Sequence, residues 1–132
     1  MAEQMIPPRA TVLVIDNDDG VLAAIDARLS HAGIGCVHAD NGAQGVMEFD
    51  PDRIDLVITD LNMPALDGFG VIRNIRSRSD VPIIVITGFR DEYAGAIRRM
   101  PNILMVEKPF SLTNLIDVID AELFVDGGRC AA

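Results

Sequence analysis

The sequence predicts an α/β fold, a five-stranded parallel sheet between two layers of helices. Two observations carry this. Short, β-branched-rich apolar runs recur with hardly any alternation, and stripes at helical spacing lie between them. Runs that are apolar at every position suit strands buried on both faces of a parallel sheet. A chain of 132 residues, 49% hydrophobic and 23% charged, is one domain's worth. It can build a core without disulfide or metal staples.

In chain order, residues 12–15 (VLVI) read as the first strand, and Val21, Ile25 and Leu29 at i, i+4, i+8 read as a helix. A weaker run at 34–39 supplies another strand. A short helix over 43–49 follows the Asn41-Gly42 turn. Residues 56–58 (LVI) form the next strand. After Asp67-Gly68, Phe69, Ile72 and Ile75 form a helical stripe between 68 and 78. Ser79-Asp80 and Val81-Pro82 break the chain before residues 83–86 (IIVI). Tyr93, Ile97 and Met100 mark a shorter helix, and residues 103–106 (ILMV) the last strand. Leu112, Leu115, Ile116, Ile119 and Leu123 make the cleanest amphipathic helix, with Ser111 placed as its N-cap. The ends divide into an extension at 1–10, a domain at 11–124, and a tail at 125–132 that contains Gly127-Gly128. Five βα units in this length suit the flavodoxin-like strand order 2-1-3-4-5 better than the six-stranded dinucleotide fold.

Composition narrows the function. Eleven Lys and Arg against twenty Asp and Glu leave a formal charge of -9. Nucleic-acid binding needs a basic patch to neutralise phosphates. The one basic cluster, Arg73, Arg76 and Arg78, reads as the solvated side of a helix, so no direct nucleic-acid contact is expected. No apolar run is long enough to cross a bilayer, and the first residues lack an apolar signal core, so the expected compartment is the cytoplasm. Cys36 lies in a strand and Cys130 near the end. Without metal spacing they read as unpaired thiols in a reducing compartment. His31, near a helix end, and His38 read as isolated.

The topology forces a cluster. All strands of a parallel sheet end at one edge, and ligands bind there, near the point where strand order reverses. Asp16, Asn17, Asp18 and Asp19 follow the first strand, and Asp60 ends the third. Thr87-Gly88 follows the fourth, and Lys108-Pro109 the fifth. Asp18 and Asp19 serve equally well as helix caps. Crowded carboxylates repel, so a cation is expected between them. Oxygen ligands without His or Cys point to Mg²⁺ or a similar hard ion. An Asp can be the nucleophile that forms an aspartyl phosphate, while a Lys and a Thr position and neutralise the phosphoryl oxygens.

The segments VLVIDND, DLVITDLNMPALDGFGVI, PIIVITG and VEKPF, in this order, resemble the signatures of response-regulator receiver domains over residues 11 to 124. They include the Met63-Pro64 and Asp67-Gly68 pairs. The resemblance implies Asp60 as phosphoacceptor in two-component signalling, and phosphoryl contacts from Thr87 and Lys108. It implies Mg²⁺ held by Asp16, Asn17, Asp60 and the backbone carbonyl of Asn62, and a cis Lys108-Pro109 peptide. Asn62 and Phe89 stand where the family tunes the lifetime of the acyl phosphate, and Thr87 and Met105 where it switches. Two positions depart from the family pattern. Asn17 replaces a carboxylate, and Met105 replaces an aromatic residue. The implied partner is a sensor histidine kinase or a histidine phosphotransfer protein. A phosphorylation-dependent homodimer is among the outputs allowed, and no membrane is involved. The domain regulates and is not a turnover enzyme, though it catalyses its own phosphorylation and dephosphorylation.

Three other functions compete for the same residues. An Asp-nucleophile phosphatase wants a second Asp where Asn62 stands. A flavodoxin wants a hydroxyl-rich phosphate loop and stacking aromatics, whereas this chain has an acidic loop, no Trp and one Tyr. A degenerate receiver that only docks partners fits Asn17 and Met105, but it has no need of Asp60, Thr87 and Lys108 together.

Overall fold

The computed structural model describes residues 8–61, 68–88 and 94–124. The expectations placed on Asn62, Met63, Pro64, Asp67, Phe89, Tyr93, Gly127, Gly128 and Cys130 lie outside the described residues.

Among the described residues, five strands alternate with five helices: β1 (Thr11–Ile15), α1 (Asp19–His31), β2 (Gly35–Ala39), α2 (Gly42–Glu48), β3 (Leu56–Asp60), α3 (Gly68–Arg76), β4 (Ile83–Thr87), α4 (Ala94–Arg98), β5 (Ile103–Glu107) and α5 (Leu112–Phe124). The sheet order is β2-β1-β3-β4-β5, and every pairing is parallel. The flavodoxin-like order predicted from the sequence is the order observed.

Strand parity sorts the core into two layers. Val12, Val14, Ile58 and Ile84 face α1 and α5, meeting Ile25, Leu29, Leu115 and Ile119. Leu13, Ile15, Val57 and Val85 face the opposite way, meeting Val71, Ile72, Ile75 and Ile97. β3 and β4 are buried at every position. Truncating one of their isoleucines to Ala would cost about 2–5 kcal/mol. Local chemistry fixes the helix ends. Asn41 Oδ1 accepts the Gln44 amide at 2.8 Å, Ser111 Oγ accepts that of Asn114 at 3.1 Å, and Gly33 at φ +78° follows α1.

Four sequence expectations change in detail. In α1 the buried row is Leu22, Ile25 and Leu29, with Val21 half-buried. The helix therefore turns an i, i+3, i+7 stripe inward. The β5 strand is not buried on both faces. It closes one edge of the sheet, and Leu104 and Glu107 are exposed. α4 ends at Arg98, short of Met100. Arg76 is half-buried rather than solvated, while Arg78 stays exposed as expected but is tied down. Arg76 Nη1 donates to the carbonyls of Ser79 and Val81, both at 2.8 Å, and Nη2 to that of Asn102 at 3.3 Å. Arg78 donates to the carbonyls of Val46 and Phe49 and stacks on the Phe49 ring. Arg76 spends its charge on loop carbonyls, and Arg78 on carbonyls at the C-terminal end of α2, groups that strands and helices leave unpaired. Arg73 is exposed.

Candidate functional site

The C-terminal ends of β1, β3, β4 and β5 converge as the topology requires. Asp16, Asp60 and Thr87 are 2%, 3% and 5% exposed and, with Thr59 on β3, are the buried polar residues among those described. The sheet ladder extends just far enough to hold them. The Asp16 amide donates to the Ala39 carbonyl, the Leu61 amide to Ile86, and the Lys108 amide to Thr87. From β5, the side chain of Lys108 reaches across to the third strand, its Nζ 3.2 Å from Asp60 Oδ2. The Lys108–Pro109 peptide is cis.

The two carboxylates are held differently. Asp60 has the ammonium of Lys108. Asp16 Oδ1 accepts the Asp18 amide at 2.8 Å, but its Oδ2 is buried with no hydrogen-bond partner among the described residues. Burial raises the Asp16 carboxyl above its ordinary range. The Asp18 amide opposes this, and the charge of Asp60 reinforces it. A buried oxygen of this kind is costly unless a donor or a cation meets it.

The acidic loop divides its labour. Asp18 is the N-cap of α1. Its Oδ1 accepts the amides of Gly20 at 2.9 Å and Val21 at 3.2 Å. Asp19 lies in the first helical turn, where the helix dipole favours an anion. Asn17 is exposed beside Asp16. Gly68 admits the close return of the chain behind Asp60. A Cβ there would fall on the Asp60 carbonyl and the Leu61 backbone. Met105 is half-buried on β5, packed toward α3 and α4. Asn62 and Phe89 lie outside the described residues.

Beside the charged cluster runs a groove of about 870 Å³. Asp18 and Lys108 stand at it together with Val21, Ala24, Phe110 and Leu112.

Residues 12–120 match the response regulator receiver domain family. The chain belongs to that family. It is 34% identical over 116 residues to the transcriptional regulatory protein PrrA of Mycobacterium bovis (strain ATCC BAA-935 / AF2122/97), covering 85% of this chain and 49% of that protein. It is 38% identical over 80 residues to the probable transcriptional regulator ycf27 of Cyanidium caldarium, covering 61% of this chain and 32% of that one. The receiver thus spans about a third to a half of these curated relatives. Among solved structures, the response regulator receiver protein from Pseudomonas putida superposes with a TM-score of 0.76 at 32% identity, covering 89% of this chain and all of the other. The receiver is a regulatory module of two-component signalling. Among its described residues no helix is long and apolar enough to cross a membrane.

One constellation escaped the sequence reading. His38 is not isolated, because its Nε2 lies 3.2 Å from Asp26 Oδ2. Cys36 joins them, its ligand atom within 4.8 Å of both of theirs, and burial followed by the Asp26 charge pushes the thiol up to about 12. The Cys-x-His spacing puts both side chains on one face of a strand. Asp26, however, comes from α1, so only the packing of α1 on β2 reveals the group.

Proposed function

We propose that this receiver takes a phosphoryl group onto Asp60 from a histidine kinase or histidine phosphotransfer protein, and that Mg²⁺ is required. The observation that carries this is the pairing of buried Asp60 with Lys108 at 3.2 Å, next to an Asp16 oxygen with no partner among the described residues. The residues fit a hard cation. Asp16 and Asp60 would hold it with the amide oxygen of Asn17 and the backbone carbonyl of Asn62. When bound, the ion neutralises charge on the phosphoryl oxygens.

In the transfer, a carboxylate oxygen of Asp60 forms the new O–P bond as the N–P bond to the donor imidazole breaks. Lys108 exchanges its contact with Asp60 for one with the incoming phosphoryl group and holds part of its charge. The hydroxyl of Thr87 offers a donor from the neighbouring strand end. The phosphoryl contact with Thr87, relayed to Met105, would carry the switch to the β5 face. The apolar Phe89 and the neutral Asn62 would shield the acyl phosphate from water and lengthen its life.

The groove beside Asp18 and Lys108 gives a partner helix an apolar footing next to the acceptor, which supports a kinase or phosphotransfer protein docking there. The relatives named as transcriptional regulators support an output on transcription, exerted through a partner or an adjoining domain. The functional unit is residues 11–124.

Intact mass after incubation with Mg²⁺ and acetyl phosphate tests the reading. One added phosphoryl mass is expected, lost in Asp60→Asn and without Mg²⁺. No gain in the wild type would favour a receiver that docks partners without phosphate. Equal labelling of Asp60→Asn would move the acceptor elsewhere.

A further inference from the structure

We infer that Asp26, Cys36 and His38 form a second metal site, distinct from the acidic cluster, that takes Zn²⁺. Among the described residues, these are the three metal-ligating side chains whose ligand atoms gather, all within 4.8 Å of one another. They come from two elements. Cys36 and His38 project from the same face of β2, and Asp26 projects from α1, which packs on that face. A thiol, an imidazole and a carboxylate are the ligand types zinc takes, with a tetrahedral spacing of roughly 3.5 Å between ligand atoms. His38 Nε2 and Asp26 Oδ2 already stand 3.2 Å apart. With the Cys36 sulfur within 4.8 Å of both, the three ligand atoms outline a three-sided cup.

The exposure is graded as such a site needs. Cys36 is half-buried against the α1 layer. The side chains of His38 and Asp26 are 43% and 38% exposed. An ion can therefore enter from solvent and keep a water in its fourth position. Among the described residues β2 is an edge strand, paired only with β1, so a bound ion would tie that edge to α1. A hard ion such as Mg²⁺ gains nothing from the thiol, so the two sites should sort metals by ligand softness. Binding forms a metal–sulfur bond, and the proton of the Cys36 thiol leaves for the buffer.

Cobalt(II) alone is the spectroscopic probe, added to protein carrying Cys130→Ser and Asp60→Asn so that the tail thiol and the acidic cluster do not contribute. A thiolate-to-cobalt charge-transfer band with tetrahedral visible bands is expected, displaced by equimolar Zn²⁺ and not by excess Mg²⁺. Cys36→Ser should abolish the charge-transfer band. His38→Asn and Asp26→Asn should each weaken binding by at least 10-fold while circular dichroism stays that of the parent. Zn²⁺ should also raise the melting temperature of the parent and not of the Cys36→Ser form. Absence of the band, or a band with the same affinity in His38→Asn and Asp26→Asn, would overturn the site. Because the acceptor carboxylate is removed in these proteins, neither outcome bears on phosphorylation at Asp60.

Discussion

The side chain of Asp18 is spent on the amides of Gly20 and Val21, and this decides which residue of the acidic loop is left for a cation. Position 17 is the one beside Asp16 that is not committed to a cap. Asn17→Asp should therefore tighten Mg²⁺ binding about 10-fold, since hard cations gain from each anionic ligand. Asp18→Asn should leave affinity nearly unchanged, because Asn caps a helix as well as Asp. A Mg²⁺ titration of both variants by calorimetry checks this, and the reverse pattern would mean that Asp18 swings in as the ligand. Asp16→Asn follows from the same geometry. It replaces a buried carboxylate beside Asp60 by a neutral amide, so the metal-free protein should gain roughly 1 kcal/mol, seen as a melting point higher by a few degrees. Its Mg²⁺-dependent stabilisation should fall. Unchanged melting with and without Mg²⁺ would show that Asp16 bears no such cost. The convergence of Asp16, Asp60, Thr87 and Lys108 was legible in the sequence because a parallel sheet delivers every strand end to one edge. Whether Asp18 caps or ligates was not, because it depends on a single rotamer.

Two helical glycines are expected to respond to Ala with opposite signs. In α2, a Cβ on Gly45 would meet Ile15 Cδ1 at 2.5 Å and Cγ1 at 2.8 Å, and Ile15 is fully buried with no room to retreat. Helix propensity offers about 1 kcal/mol in return, and overpacking costs about 1–3. Gly45→Ala should therefore destabilise the fold by up to about 2 kcal/mol. In α4, a Cβ on Gly95 meets nothing within 4 Å among the described residues, so Gly95→Ala should stabilise by about 0.5–1 kcal/mol. Urea denaturation of the two variants reads both signs, and matching shifts would refute the packing argument. A third variant, Arg76→Met, keeps much of the stem but strips the donors from the carbonyls of Ser79, Val81 and Asn102. It should cost about 1–3 kcal/mol, and a neutral result would return Arg76 to the solvated face that its sequence suggests. At this scale the central strands were legible and the edges were not. The apolar runs of β3 and β4 record burial on both faces. β5 carries a run of the same kind, ILMV, yet lies at the rim, and local pattern holds no record of sheet position. The helical period of α1 was plain, but its inward row was off by one residue because Val21 and Leu22 are equally apolar.

Across the whole molecule, the acceptor and its counter-charge are mounted on parts of unequal stability. Asp60 ends a strand hydrogen-bonded on both sides. Lys108 follows β5, which among the described residues is bonded to β4 alone and leaves Leu104 40% exposed. Rim strands of this kind open without the rest of the protein unfolding. Each such fluctuation would withdraw the ammonium from Asp60 while the two apolar layers stay intact. Deuterium uptake should then be at least 10-fold faster at the amides of β5 than at those of β3, and phosphorylation, by giving Lys108 a second anion to hold, should slow uptake in β5 and leave β3 unchanged. Identical protection of the two strands would mean that β5 is released only with global unfolding. If the difference is found, the lysine acts as an intermittent latch, and the fraction of time it is closed becomes a quantity that substitutions along the rim, far from the carboxylates, can set.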